Sequence, residues 1–356
     1  MRCHLAQPLR RVLVPFFVLA GLTVSSCSRD ANEPTAPGSE SAVPVETPAT
    51  SLSLALATQS RHTDRLLGVK GVVGTAVALD ERGKAELRVF TRDASVRGLP
   101  ASLDGTPVSV MVTGPIRSLV ARANVGAATA AVNRTARFAR PVPIGISTGN
   151  QRACIAGTIG ARVKRGTAFF ALSNNHVYAL ENSAPLGSNV LQPGQADVNC
   201  AAGSNARLGQ LSQFVRIVFS ETANNRVDAA IASVTSTNLR RTTPSDGYGA
   251  PRAATASVAL NQTVRKYGRT TGYTSGKVAG LNATVLVEYS GGRTARFVGQ
   301  ILIQGGSFSR PGDSGSLIID GNRRPVGLLF AGGGKFTLAN PINQVLNALN
   351  VTVDGN

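Results

Sequence analysis

Three side chains that lie far apart in the sequence could together perform acyl transfer. His176 lies in the stretch FFALSNNHVYAL, Asp228 in NNRVDAAIASV and Ser314 in SRPGDSGS. A serine hydroxyl becomes a nucleophile when an imidazole takes its proton, and a carboxylate can hold that imidazole in the correct orientation. The residue types therefore make His176 the candidate base, Asp228 its orienting carboxylate and Ser314 the candidate nucleophile.

The local sequence around each of these residues is compatible with that role. An apolar strand ends just before His176, and Asp228 precedes small apolar residues that would bury its carboxylate beside a donor. Gly312 and Gly315 permit a tight turn in which the amides of Gly312 and Ser314 point into one cavity and bind an oxyanion. The alternative is a structural histidine and an inert turn, since glycine, aspartate and serine are common turn residues.

The elements that must hold these side chains are predicted as short strands. Residues 141–353 contain many short apolar segments separated by Gly, Asn, Ser and Pro, which indicates an all-β barrel or sandwich domain. Residues 51–115 show one helical pattern and three strands rich in β-branched residues, which predicts a small α/β domain. Residues 116–140 between them are rich in Ala, Arg and Val and are predicted as a linker.

The N-terminal residues are typical of an export signal. Residues 1–26 combine a basic start with a short apolar run, and residues 27–50 are too rich in Pro, Ser, Thr and Glu to bury a core. The stretch VSSC resembles the lipobox of bacterial lipoproteins, which implies a lipid on Cys27 and, with Ser28 behind it, sorting to the outer membrane. We therefore expect an exported, lipid-anchored protein facing the periplasm or the cell surface; the alternative is a soluble secreted protein.

The remaining cysteines predict a disulfide bond. Cys3 would leave with the signal and Cys27 would carry the lipid, so Cys154 and Cys200 remain for an oxidising compartment. We expect these two to be bonded to each other, with two separately buried thiols as the alternative. The absence of a CxxC pair and of an HExxH motif predicts no metal and no cofactor.

The overall charge admits several partners. The chain has 37 Lys and Arg against 19 Asp and Glu, a formal charge of +18 that could favour nucleic acid, lipopolysaccharide or acidic substrates. These residues are spread along the chain, which is also typical of a solubilising basic surface. Aromatic residues make up 5% and tryptophan is missing, so a base-stacking platform and specific nucleic-acid binding are not predicted.

Four motifs in this order resemble those of the chymotrypsin-like serine peptidases, in particular the exported bacterial members. They are SNNHV with the histidine, VDAAIA with the aspartate, the strand pair GRTTGYTSGKV, and RPGDSGSLI with the nucleophile. The resemblance covers about residues 141–353. It implies a mainly β fold with a two-barrel peptidase domain, preceded here by the small α/β domain, and a triad in the cleft between the barrels.

The resemblance also implies roles for neighbouring residues. Asp313 would be buried and would need a cation, for which Lys266 and Arg269 are candidates because they lie in the matching strand region. The side-chain pocket would have Phe308 near its base. Its wall would be formed by Phe330, Ala331 and Gly332.

These residues bear on the side-chain preference and on the partners of Asp228. It lacks an acidic residue, so a preference for Arg or Lys side chains is not predicted. The family usually has a small polar residue that hydrogen-bonds the aspartate at the position of Phe330, so Asp228 is expected to have fewer partners than in the family.

These observations favour a lipid-anchored serine endopeptidase that acts on proteins or peptides. The alternative is a catalytically weak or inactive peptidase-like module that binds peptides or cell-envelope components. Binding of a polyanion through charge alone is a third class. The complete triad favours the first, because a binding module has no need of all three residues. The unit at 51–115 has three interpretations, namely a folding aid, an inhibitor or a docking module.

Overall fold

The computed structural model describes residues 48–122, 132–201 and 203–356. The predicted signal at 1–26, most of the tether at 27–50 and the lipidation site Cys27 lie outside the described residues. The first helix begins at Pro48, so residues 48–50 are helical and do not belong to the tether. Proline is well tolerated in the first turn of a helix, where its missing N–H has no intrahelical partner. Within these ranges, no helix has both the length and the apolar character needed to cross a membrane.

The described residues form three α-helices and twenty β-strands. The helices are α1 (Pro48–Leu67), α2 (Asn175–Tyr178) and α3 (Ile342–Leu349). The strands are β1 (Val72–Leu79), β2 (Ala85–Thr91), β3 (Ser102–Leu103), β4 (Thr106–Val112), β5 (Arg117–Ser118), β6 (Ala121–Arg122), β7 (Ser147–Asn150), β8 (Ile155–Thr158), β9 (Ala161–Arg165), β10 (Ala168–Ser173), β11 (Asn189–Leu191), β12 (Arg207–Phe214), β13 (Ala230–Val234), β14 (Thr263–Gly268), β15 (Gly272–Glu288), β16 (Thr294–Gln304), β17 (Leu317–Ile319), β18 (Pro325–Gly333), β19 (Phe336–Pro341) and β20 (Thr352–Val353). Short 3-10 helices cover Gln195–Val198, Ser204–Ala206 and Ser290–Gly292.

The first barrel is built from strands β7 to β13, with β6 and β20 paired at the two ends of the sheet. They pair in the order β20, β9, β10, β13, β12, β11, β7, β8, β6. Inward-facing aliphatic residues such as Ile146, Leu172 and Ile231 form its core, and all three are fully buried. The amphipathic helix α3 covers this core with Val345 and Leu349. Burial of these aliphatic side chains is the main term that stabilises the barrel.

The second barrel closes on itself. Its strands pair in the order β14, β17, β18, β19, β16, β15, and β15 pairs again with β14. Closure leaves no unpaired edge in this ring of six strands. The interior contains Val264, Val278, Phe308 and Leu329, which belong to one apolar cluster.

The N-terminal unit extends the sheet of the second barrel. Strand β1 pairs antiparallel with the long strand β15, β2 pairs with β1, and β4 runs parallel to β2. Helix α1 packs on these strands, where Gln59 Nε2 donates to the carbonyl oxygen of Asn282 at 2.8 Å. Asp64 on the same helix forms a 2.7 Å ion pair with Arg296 of β16. The predicted fold class, a mainly β two-barrel domain preceded by a small α/β unit, is confirmed.

The segment predicted as a linker contains two short strands in its described part. Strand β5 pairs with β18 of the second barrel, and β6 pairs with β8 of the first barrel. Residues 117–122 therefore run between the two barrels and are not a free connection.

Candidate active site

The candidate base lies on a single helical turn at the end of a strand. Strand β10 ends at Ser173, and α2 follows at once with His176 in its second position. The backbone N–H of Tyr178 bonds to the carbonyl of Asn174, while Asn174 Nδ2 donates to the carbonyl of Asp228 at 2.6 Å. This pair of contacts fixes α2 beside the segment that carries Asp228. The His176 side chain is 1% exposed.

His176 and Asp228 form a direct hydrogen bond. The ring atom Nδ1 of His176 lies 2.6 Å from Oδ2 of Asp228, and the backbone N–H of His176 donates to Oδ1 at 3.2 Å. The carboxylate is fully buried. An acceptor on Nδ1 selects the tautomer that leaves Nε2 free to take a proton.

Tyr289 is a further partner of Asp228 that the sequence did not predict. Its hydroxyl donates to Oδ2 of Asp228 at 2.8 Å. Burial, reinforced by the Asp228 charge, raises the pKa of Tyr289 well above its usual value, so the hydroxyl remains protonated and can donate. The expectation that Asp228 has fewer partners is therefore wrong, because a tyrosine from the end of β15 supplies the missing hydroxyl.

The loop that carries Ser314 connects β16 to β17 and is attached to the first barrel. Gly312 and Gly315 have φ values of +101° and +93°, which L side chains rarely adopt. Thr158 at the end of β8 donates its hydroxyl to the carbonyl of Gly312 at 2.8 Å and its amide to the carbonyl of Ser314 at 2.7 Å. These two bonds hold the serine loop of the second barrel against the first.

The hydroxyl of Ser314 is bonded to the main chain. Its Oγ donates to the carbonyl of Phe330 at 3.2 Å. The buried Nε2 of His176 has no hydrogen-bond partner among the described residues. A bond between Ser314 and His176 requires the hydroxyl to leave the Phe330 carbonyl, and catalytic hydrogen bonds commonly tighten only when substrate binds.

Asp313 is held by a cation and by a set of amides. Lys266 Nζ lies 3.7 Å from Oδ2 of Asp313, and both side chains are fully buried. The amides of Thr270 and Arg310 donate to the same carboxylate at 2.9 Å. Burial lowers the pKa of Lys266 to about 8, and the Asp313 charge opposes that shift.

Of the two cations considered for Asp313, Lys266 therefore forms the pair. Arg269 instead contacts Asp197, where its Nε donates to Oδ2 at 3.0 Å and its Nη2 pairs with Oδ1. Both partners of this second pair are almost fully buried. It joins the end of β14 to the first barrel, next to the serine loop.

The residues proposed for the side-chain pocket occupy two different environments. Phe308 belongs to the apolar interior of the second barrel. The ring of Phe330 packs on Phe297 with their centroids 4.8 Å apart, so Phe330 presents its backbone to the cleft and its ring to the core. Ala331 and Gly332 follow on β18 and pair with β5.

The disulfide between Cys154 and Cys200 is confirmed. Their Cα atoms lie 5.1 Å apart, within the usual range for a disulfide. Cys154 immediately precedes β8, so the bond ties the start of that strand to the turn after Gln195–Val198. The described part of the chain contains no cluster of three or more His, Cys, Asp or Glu side chains that could hold a metal ion.

Comparison with known proteins finds a serine protease that is similar to part of the chain. Serine protease 2 from Streptomyces fradiae is 42% identical over 76 residues, which is 21% of this chain. The resemblance to the chymotrypsin-like serine peptidases is confirmed. The match covers 40% of that relative, so the chain spans less than half of its length. No family model matches the chain.

Solved structures of serine proteases align with a little over half of the chain. A glutamic acid specific serine protease aligns with 60% of this chain and 100% of its own, with a TM-score of 0.44 and 20% identity. Protease A from Thermobifida fusca aligns with 60% of this chain and 100% of its own, with a TM-score of 0.42 and 17% identity. Chymotrypsin from Cellulomonas bogoriensis covers 60% of this chain and 99% of its own, with a TM-score of 0.41 and 19% identity.

Proposed function

We propose that the chain is a serine endopeptidase in which His176, Asp228 and Ser314 act as the catalytic triad. The observation that carries the proposal is the 2.6 Å bond between His176 Nδ1 and Asp228 Oδ2 at the barrel interface, where the Ser314 loop is also anchored. A buried histidine and aspartate bonded in this way are arranged for general-base catalysis. The substrates are proteins or peptides.

The reaction follows from these positions. Ser314 Oγ attacks the carbonyl carbon of the substrate as His176 Nε2 takes the hydroxyl proton. Asp228 and Tyr289 stabilise the resulting imidazolium and its orientation, while the amides of Gly312 and Ser314 bind the oxyanion. His176 then gives the proton to the leaving amine, which departs and leaves an acyl-enzyme on Ser314. In the second half of the reaction, His176 takes a proton from water, the water attacks the acyl carbon, and the proton passes to Ser314 Oγ as the acid product leaves.

The surroundings of Asp228 favour catalysis over the alternative of an inactive peptide-binding module. A buried carboxylate costs free energy unless donors satisfy it, and Asp228 has donors from a histidine ring, a histidine amide and a tyrosine hydroxyl. A module that only binds peptides gains nothing from a buried charge next to an imidazole.

The direct test compares the serine with a second serine of the same loop. Ser314→Ala should lower hydrolysis of a casein-type substrate by about 10⁴-fold or more, because the nucleophile is lost. Ser309→Ala is the control, since its hydroxyl bonds to Thr337 and lies outside the triad. Equal activity of Ser314→Ala and the parent would contradict the proposal.

We also propose that the protein is exported and anchored by lipid on Cys27. The support is the sequence VSSC after a basic and apolar leader. Cys27→Ala should release the protein into the soluble fraction, whereas the parent should sediment with outer membranes. Identical fractionation of the two would contradict the anchor and would leave the catalytic proposal untouched.

A further inference from the structure

The segment between the N-terminal unit and the first barrel crosses the cleft as two short strands, β5 and β6, separated by Leu119 and Val120. On one side of Leu119, β5 runs antiparallel to β18, with Ser118 opposite Ala331. On the other side, β6 runs antiparallel to β8, with Ala121 opposite Ala156. One short stretch thus pairs with a strand from each barrel, as a bound peptide does when it adds a strand to a sheet edge.

The Leu119–Val120 peptide bond lies between these two pairings, at the serine loop. The amide of Leu119 donates to the carbonyl of Phe330 at 3.2 Å. Its carbonyl oxygen accepts a 2.6 Å hydrogen bond from the amide of Gly312, the amide proposed to bind the oxyanion. The carbonyl of Leu119 therefore occupies the position of the bond that this site would attack.

The side chain of Leu119 is partly buried against the apolar core of the second barrel. It packs against the cluster that contains Phe308, and a methyl group placed on Gly332 would lie 3.0 Å from Leu119 Cδ1. The absence of a side chain at Gly332 thus leaves room for the leucine. These apolar surroundings disfavour a charged side chain at this position, because a charge there would lose hydration without gaining a partner.

We propose that Leu119–Val120 is a peptide bond that the enzyme cleaves within its own chain, and that the enzyme prefers a large aliphatic residue before the scissile bond in other substrates. The inference rests on the proposed function, because it needs the His176, Asp228 and Ser314 chemistry.

The self-cleavage step needs no additional reactant besides water. Ser314 Oγ bonds to the carbonyl carbon of Leu119, its proton passes to His176 Nε2, and the carbon–nitrogen bond to Val120 breaks. The nitrogen of Val120 takes the proton from His176 and becomes a new α-amine. Water then hydrolyses the Leu119 ester, which yields a carboxylate on Leu119 and restores the Ser314 hydroxyl.

The serine loop is already ordered before any cut is made. Asp313 is paired with Lys266 at 3.7 Å in the uncut chain, so it does not need a newly freed N-terminus as its cation. The amide of Gly312 also already faces the carbonyl to be attacked. The oxyanion donor and the cation of Asp313 are therefore in place before the cut. Cleavage additionally requires the Ser314 hydroxyl to leave the Phe330 carbonyl and bond to His176 Nε2.

The first experiment maps the ends of the purified full-length protein by mass spectrometry. The parent should yield fragments that end at Leu119 and begin at Val120, and Ser314→Ala should remain uncut. Leu119→Asp should also remain uncut at this bond, because its carboxylate does not enter the apolar pocket. The control Val110→Asp changes a residue on β4 that is 53% exposed, and it should be cut like the parent.

A second experiment separates cutting in cis from cutting in trans. The full chain made by cell-free translation should be cut with a rate that does not change on tenfold dilution. The intact Ser314→Ala chain mixed with active parent should stay uncut at Leu119–Val120, because the strands on both sides of that bond are paired with β18 and β8 of the same chain. A rate proportional to concentration, or cutting of Ser314→Ala by the parent at this bond, would overturn the intramolecular step.

A third experiment tests the side-chain preference on synthetic peptides of residues 115–122. The peptide with Leu119 should be hydrolysed at least about tenfold faster than peptides with Leu119→Lys or Leu119→Glu, by the usual discrimination of an apolar pocket. Equal rates would overturn the aliphatic preference.

The failure of this inference is distinguishable from failure of the proposed function. If the parent stays uncut but Leu119→Asp is labelled at Ser314 by a fluorophosphonate and hydrolyses casein, the enzyme is active and the self-cleavage is wrong. If neither protein is labelled and neither hydrolyses casein, the proposed function itself is wrong.

Discussion

The two barrels each contribute a fully buried aspartate to the cleft, and the two carboxylates have different kinds of partner. Asp228 of the first barrel accepts hydrogen bonds from the His176 ring, the His176 amide and the Tyr289 hydroxyl. Asp313 of the second barrel faces the Lys266 ammonium group and several backbone amides. One carboxylate is thus bonded to a group that must gain and lose a proton, and the other to a fixed cation.

This difference assigns the two carboxylates separate tasks. Among the described residues, His176 is the only ionisable cation paired with Asp228, so Asp228 stabilises the imidazolium when that forms. The charge of Asp313 is already balanced, so it holds the loop of Gly312 and Ser314 in shape. Changes near Asp228 should therefore lower activity more than stability, and changes near Asp313 should lower both.

The largest effect is expected for Asp228→Asn. The amide group would donate to Nδ1 and hold the wrong tautomer of His176, so kcat/KM should fall by about 10⁴-fold. The melting temperature should change little, since the side chain keeps its volume. The control is Asp320→Asn, which changes another buried aspartate that bonds to Arg324. The assignment would be contradicted if Asp228→Asn had a lower melting temperature than the parent but the same kcat/KM in its folded state.

Lys266→Met should lower stability as well as activity. It leaves the buried Asp313 without its cation, so the free energy of unfolding should fall by about 3–5 kcal/mol and activity should fall with it. Chemical denaturation gives the first value and peptide hydrolysis the second. The double variant Lys266→Met with Asp313→Asn removes the unpaired charge and should be more stable than the single one. If the single variant is as stable as the parent, the pair does not hold the loop.

Tyr289→Phe should have a moderate effect on activity. It removes one hydrogen bond to a charged acceptor, worth about 1.5–3 kcal/mol, which corresponds to about a ten- to hundredfold loss of kcat/KM. Tyr248→Phe is the matched control, because Tyr248 is also buried and its ring lies 6.4 Å from that of Tyr273. Equal losses in the two variants would mean that Tyr289 only fills space.

The smallest effect is expected from pH. Burial lowers the pKa of Lys266 from 10.5 to about 8, so activity should fall as pH rises through about 8 and Asp313 loses its cation. The neutral amine can still bond to the carbonyl of Gly272, so the loss should be smaller than in Lys266→Met. This fall in activity above about pH 8 should be missing from the pH–activity curve of Lys266→Met. If the fall persists in that variant, it belongs to the titration of another group.

Stability should respond to the same titration with the opposite sign. Because the folded pKa lies below the unfolded value, the folded chain binds fewer protons between about pH 8 and 10.5. The contribution of Lys266 to the free energy of unfolding therefore rises with pH in that window. Denaturation curves of the parent and of Lys266→Met at pH 7.5 and 9.5 measure the difference, and a parent that loses stability relative to the variant would contradict it.

Much of the fold and part of the site follow from local sequence. The residues around His176 and Ser314 are short turns between apolar strands, and glycine at 312 and 315 marks backbone with positive φ. The pairing of Cys154 with Cys200 follows from their number. The two turns depend on neighbours in sequence, so local patterns predict them, whereas the disulfide is predicted by elimination among the four cysteines.

Site residues that are far apart in sequence and meet only in the folded chain could not be predicted in this way. Tyr289 lies 61 residues from Asp228, and nothing in the sequence around it shows that its hydroxyl points to a carboxylate. Lys266 and Arg269 are both buried cations near the end of β14, and only the packing of the barrels decides which one faces Asp313. Leu119 lies in a segment whose composition suggests a linker, and its role depends on pairing with β18 and β8.

The central claim is that Ser314 is a nucleophile activated by His176 and Asp228. A fluorophosphonate that reacts with activated serines, followed by peptide mapping of the adduct, tests it most directly. We expect one adduct on the peptide that contains Ser314, with labelling abolished in Ser314→Ala and His176→Ala and retained in Ser309→Ala. An adduct on another serine, or equal labelling of His176→Ala and the parent, would contradict the claim.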